Sequence, residues 1–246
     1  MRKNIALLVS FSILLLLSNA FGQWRLKQTA AKKITEPIVI DGVIDEAAWR
    51  GAPEVSDFIQ FQPRRGELAQ FRMIVKIAYD ESCVYFGFFC YDSQPEAIAA
   101  RLVKRDSDLR PDDSVYVFLD TFNDKQSSYF FGSNLLGTQW DGRFTDNGRT
   151  ADDTWDGVWR SAAQKTDFGW SAEIAISLTS IKYEPGENKT WGLSLGRSVP
   201  RILEHSFWTG PLESTQKVSQ FGELTGLELA AVLKKSQIIP HVILKV

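Results

Sequence analysis

The stretch from Thr138 to Arg160 crowds aromatic and polar side chains together: Trp140, Asp141, Arg143, Phe144, Asp146, Asn147, Asp152, Asp153, Trp155 and Trp159. Flat aromatic faces stack on C–H bonds, and planar carboxylate, amide and guanidinium groups pair with hydroxyls. That combination is the chemistry of saccharide recognition. Being polar and punctuated by glycine, the stretch is expected as a surface excursion on a rigid scaffold. Trp159 reads as core and Trp155 could serve either purpose. Trp140 is the ligand candidate, with Asp141 and Arg143 beside it.

Other constellations carry less. Asp106-Ser107-Asp108 with Asp112-Asp113, and Asp120 with Asn123-Asp124, could gather oxygen ligands for Ca²⁺. They lack EF-hand spacing, and Asp and Asn are also standard turn formers, which is the preferred reading. Gly192-Leu193-Ser194-Leu195-Gly196 matches G-x-S-x-G, but a nucleophile elbow needs a strand–turn–helix and a distant His. Here the pentapeptide lies inside an expected strand, and the chain holds only His205 and His241. A glycosidase needs two opposed carboxylates in a cleft, and no acidic residue stands in a hydrolase signature. Glu173 faces away from Trp170, Ala172, Ile174 and Ile176 on an alternating strand, so a structural partner is expected for it.

Short strands must position these groups. Arg72 to Tyr79 alternates Arg72, Ile74, Lys76 and Ala78 outward with Met73, Val75, Ile77 and Tyr79; Asp80-Glu81-Ser82 turns the chain, and Cys83 to Tyr91 returns. Ser114 to Asp120, Ser128 to Ser133, Trp159 to Gln164, Trp170 to Ser177 and Trp191 to Arg197 read similarly. Helical candidates are a turn at Asp45 to Trp49, with Asp45 as N-cap, and Pro95 to Leu102. The spacing predicts an all-β fold, an antiparallel β-sandwich of jelly-roll type with one or two short helical turns. Cys83 and Cys90 lie seven residues apart on one strand, which points them to opposite faces, so no disulfide is expected between them.

The 246 residues suit one all-β domain over 30–232. Lys plus Arg number 28 against 30 Asp plus Glu, which leaves no basic excess to draw the chain onto nucleic acid. Arg2 and Lys3, the apolar run Ile5 to Leu17 and Ala20-Phe21-Gly22 read as a signal peptide over residues 1–22. Export to the periplasm, outer membrane or cell surface is therefore expected. Ser236 to Val246 is again strand-like, and residues 233–246 are read as the start of a linker or of a following β domain.

The order of motifs resembles the family 9 carbohydrate-binding modules. Ile40-Asp41-Gly42-Val43-Ile44-Asp45-Glu46-Ala47-Ala48-Trp49 is similar to their opening segment. Ile77 to Tyr85 with Asp92, Asp113 to Asp120, Gly169 to Ile176 and Phe221 to Leu224 are similar to later strands, so the likeness runs from Ile34 to Leu229. It implies a β-sandwich with a sugar held at a chain end between two aromatic rings, helped by a carboxylate and an arginine. Aligned here, the aromatics fall at Arg110 and near Thr215, the carboxylate at Tyr116 and the arginine at Gly132; none of the four residue types matches. The carbohydrate-binding set is thus Trp140, Asp141, Arg143, Trp155, Arg110 and Tyr116, with no catalytic residue and the metal left open.

A closer likeness, carried by Asn134, Trp140-Asp141, Thr154 to Trp159 and Trp191-Gly192, is to modules that begin large exported bacterial proteins. Their long C-terminal region looks like a membrane β-barrel. It implies a glycan and the barrel-like region of the same protein as partners. Two alternatives stay open: a structural module docking on that barrel without binding sugar, and part of a hydrolase acting on O-glycosyl compounds.

Overall fold

The computed structural model describes residues 26–210 and 212–231. The signal peptide expected over 1–22 and the strand expected from Ser236 lie outside the described residues. The first half of the chain forms β1 (Gln28–Ala30), β2 (Lys32–Lys33), β3 (Glu54–Val55), β4 (Ile59–Gln62), β5 (Met73–Tyr79), β6 (Cys83–Tyr91) and β7 (Ser114–Asp120). There follow β8 (Ser128–Asn134), β9 (Gln139–Thr145), β10 (Thr150–Asp152), β11 (Trp159–Thr166) and β12 (Gly169–Ser177). Last come β13 (Gly186–Val199), β14 (Glu204–Phe207) and β15 (Gly222–Leu229).

These strands make two sheets. The first runs β1-β15-β13-β7-β8-β9-β10, with β14 on β13 and β4 on β14; the second runs β11-β12-β6-β5-β2, with β3 beside β5. Most pairings are antiparallel, but β1 lies parallel to β15 and β2 parallel to β5, so the N-terminal residues touch both sheets. This is the β-sandwich that the strand spacing predicts.

Alternation explains the main core. In β7, Val115, Val117 and Leu119 face the second sheet, where they meet Val75, Ile77, Phe86, Phe88 and Ile174. Trp159, Trp170 and Trp191 are buried in the same layer, as expected for Trp159. Cys83 packs toward the outer face of its sheet and Cys90 toward the core, and both are free thiols.

The outer face of the second sheet is covered by residues 34–52. Ile38, Trp49 and Ala52 bury Ala78, Tyr85 and Ala175 beneath them. Ala78, expected to point to solvent, is therefore buried, and Ile74, expected to do the same, is buried as well. Glu173 fastens this strap: its carboxylate accepts the backbone N–H groups of Asp41 (3.1 Å) and Gly42 (3.0 Å) and the indole N–H of Trp49 (3.1 Å). Gly42 has φ +90°, and a Cβ there would stand 2.7 Å from the backbone of Ala163, so the close approach needs glycine. The structural partner expected for Glu173 is thus the Asp41-Gly42…Trp49 segment itself.

Three local expectations are corrected. The turn before Trp49 is a 3-10 turn over Ala47–Trp49 with Glu46, not Asp45, at its N-cap and no side-chain cap. Only Pro95–Ala97 is helical in the Pro95 to Leu102 stretch. Beyond it the amides of Ala99, Arg101 and Leu102 donate to the buried carboxylates of Asp113 and Asp112, which holds that backbone extended. Finally, the polar stretch after Thr138 is largely the hairpin β9–β10 rather than a loop.

Candidate functional site

The outer face of the first sheet carries a second cluster, unlike the strapped face opposite. Tyr116, Phe118, Phe130, Phe144, Phe207 and Phe221 gather there with Leu212 and Val218, and Trp140 packs against them. Register explains how so many rings lie on one face. A row across the sheet reads Phe207, Gly196, Tyr116, Gly132, Trp140 on β14, β13, β7, β8 and β9. Glycine beside each ring leaves room for it to lie down: a Cβ on Gly132 would meet the Tyr116 ring at 3.0 Å, and one on Gly196 the Phe207 ring at 2.7 Å. Trp140 meets Phe130 edge to face with centroids 5.1 Å apart and Tyr116 at 6.2 Å.

These rings line a half-open cavity of about 60 Å³. Its walls are Tyr116, Phe118, Phe130, Trp140, Phe144 and Phe207, and Arg110, His205, Thr215 and Gln216 complete its lining. Arg110 is exposed and held by Asp108, whose carboxylate accepts from Nε (2.8 and 3.0 Å) and Nη2 (2.5 Å). That pairing holds the Asp108 carboxyl below the usual carboxylate range. Burial and the Arg110 charge lower the His205 pKa, so its imidazole is neutral near pH 7. Burial raises the Tyr116 phenol, whose hydroxyl pairs with Ser114 Oγ at 2.7 Å.

Thr215 and Gln216 come from a loop that Leu212 and Val218 anchor into the aromatic cluster. The β9–β10 turn grips this loop: Ser219 N–H donates to Asn147 Oδ1 (2.9 Å), and Asn147 Nδ2 donates to Ser219 Oγ (3.1 Å).

The expected residues divide between the two faces of β9. Trp140, Arg110 and Tyr116 come together at the cavity, as does Thr215, with Gly132 directly beneath the Tyr116 ring. Trp140 is half-buried against Phe130 and Tyr116 rather than a free-standing platform. Asp141, Arg143 and Trp155 stand on the other face. Asp141 is fully buried, accepting Gly157 N–H (2.6 Å) and pairing with Arg105 Nη2 (2.5 Å). Burial pushes its carboxyl up. Arg143 pairs with Asp152 at 2.5 Å and lies 5.9 Å from the Trp155 ring, which packs on Tyr129 and Phe131.

Carboxylate oxygens of Asp106, Asp141 and Asp156 lie within 4.8 Å of one another. Arg105 sits among them, with Nε 3.6 Å from Asp106 and 3.5 Å from Asp156, and so supplies positive charge at their centre. Asp112 and Asp113 hold the 99–102 backbone, and the Asp120 to Asp124 cluster serves a turn. Asp120 accepts the amides of Asp124 and Lys125, and Asp124 those of Gln126 and Ser127.

Sequence reasoning placed Phe144 in the aromatic stretch but did not find Phe118, Phe130, Phe207, His205 or Gln216. Phe118 carried a usable signal: it shares the outward parity of Tyr116 on β7.

A family model described as carbohydrate family 9 binding domain-like matches residues 40–197. None of the curated proteins matches the chain. Among solved structures, the chain is similar to a family 9 carbohydrate-binding module from Caldicellulosiruptor kristjanssonii in complex with cellotriose. That match has 17% identity and a TM-score of 0.59, covering 88% of this chain and 100% of the other. The glucose complex of such a module from the same organism aligns at 17% identity with a TM-score of 0.61, covering 85% and 100%. A putative carbohydrate-binding protein from Bacteroides uniformis ATCC 8492 aligns at 14% identity with a TM-score of 0.65, covering 81% and 99%.

Proposed function

The chain belongs to the carbohydrate family 9 binding domain-like family, and we propose that it is a non-catalytic glycan-binding module whose site is the aromatic cavity on the outer face of the first sheet. The observation that carries this reading is the row of rings there, left open beside Arg110, His205, Thr215 and Gln216. Stacking on Trp140 and hydrogen bonds to the surrounding polar groups supply the two kinds of contact a sugar needs. Two of the structures it is similar to hold cellotriose and glucose, which makes neutral saccharides the first ligands to try.

The module is exported in this reading, to the periplasm or cell surface, as the N-terminal part of an envelope protein with a barrel-like C-terminal region. Arg2, Lys3 and the apolar run to Leu17 support export. A glycan array probed with the full chain, with and without Ca²⁺, tests the binding claim. Retention of saccharides that Trp140→Ala weakens is the expected result. An array without any bound glycan sinks the reading and favours the non-sugar docking module.

A further inference from the structure

Resting on that glycan-binding reading, we infer that the cavity takes a small acyl substituent of a sugar, an O-acetyl or N-acetyl group, while the sugar ring stays at the mouth. The cavity is half open, and its inner part is walled by the Phe118, Phe130, Phe144 and Phe207 rings, so the group that reaches its floor is a small apolar one such as the methyl of an acetyl group. Its walls Phe118, Phe130, Phe144 and Phe207 offer no hydrogen bond, and the Tyr116 hydroxyl is engaged with Ser114. A sugar hydroxyl pushed inside would lose its water partners without replacement, whereas a methyl group gains by leaving water.

The polar groups of the lining complete the match. Asp108 occupies Nε and Nη2 of Arg110, and Nη1 has no partner among the described residues. An acyl carbonyl at the mouth accepts from that nitrogen while its methyl fills the cavity. Because His205 is neutral near pH 7 and Arg110 is already paired with Asp108, the site favours an uncharged acyl group over a free carboxylate.

The test is titration calorimetry on the full chain with two matched pairs of probes. Chitotriose and cellotriose differ in the N-acetyl group at position 2; acetylated xylo-oligosaccharides and their saponified products differ in ester groups. The acylated member of at least one pair binds about tenfold tighter, the scale of one buried methyl group plus one hydrogen bond, and whichever pair shows the preference identifies amide or ester as the ligand. Phe144→Trp, which fills the cavity, and the exposed Arg110→Gln, which leaves the core untouched, both shrink the ratio of acylated to plain-sugar affinity within the pair, whatever each does to the plain sugar's own affinity. Equal affinity within each pair overturns the acyl inference while leaving the glycan-binding reading intact. No binding of any of the four overturns both.

Discussion

Glu173 shows what a single side chain decides. Burial, helped by neighbouring Glu46, raises its carboxyl to about 7 against the pull of three N–H donors. The folded protein then holds a proton that the unfolded chain, at the usual carboxylate value, releases. Its contribution to stability is therefore full below about pH 4.5 and is lost as the pH rises through 7. Urea midpoints at pH 5 and pH 8 should show the wild type weakening with pH and Glu173→Gln nearly flat over the same interval; parallel slopes in the two proteins would exclude Glu173 as the cause. Two tryptophans offer a contrast of burial. Trp49 is 2% exposed under the strap, so Trp49→Ala should cost about 3–5 kcal/mol of stability. Half-buried Trp140→Ala should cost about 1 kcal/mol and chiefly weaken sugar binding. Denaturation and calorimetry on the same samples separate the two effects.

Among the elements, β5, β6, β7 and β12 are legible as short apolar, β-branched and aromatic runs bounded by turn residues, and the Asp80-Glu81-Ser82 turn declares the first hairpin. β9 is not. Its sequence Gln-Trp-Asp-Gly-Arg-Phe-Thr does alternate, with Trp140, Gly142 and Phe144 on one face, but its other face carries Asp141 and Arg143. Those polar residues turn inward because Arg105 and Asp152 pair with them, partners that only the fold supplies. The candidate site was hidden for a related reason. Gly132 and Gly196 acquire meaning only when strand register sets them beside Tyr116 and Phe207, and nothing local in sequence announces that pairing. The hairpin's turn has its own role, since Asn147 grips the loop bearing Thr215 and Gln216. Asn147→Ala should loosen that loop and weaken glycan affinity severalfold with little change in melting temperature; unchanged affinity would mean the loop is held by Leu212 and Val218 alone.

At the scale of the whole molecule, the sheets are joined at one end by buried charge. Arg197 of β13 is 1% exposed and donates through Nη1 to the carbonyls of Arg72 (3.2 Å) and Tyr91 (3.0 Å) in the second sheet. Arg201 adds two 2.7 Å bonds to the buried Asp92 carboxylate, and Phe71 lies against both guanidinium groups. Removing Arg197 takes a buried donor from the Arg72 and Tyr91 carbonyls while Asp92 keeps Arg201, so Arg197→Ala should lower stability by about 1–3 kcal/mol in urea denaturation. Each sheet also draws strands from both halves of the chain. Limited proteolysis in the β9–β10 turn should therefore leave two pieces that stay associated; two separately stable fragments would show a domain boundary instead.

The parallel pairing of β1 with β15 sets how this sandwich responds to force. Gln28 lies beside Glu223 and Ala30 beside Thr225, with both strands running the same way. A pull between the start of β1 and the end of β15 acts along the strands in opposite senses. Their hydrogen bonds are then loaded in shear, all together, instead of being unzipped one by one. A module tethered at both ends would resist stretching best along the line that joins its tethers.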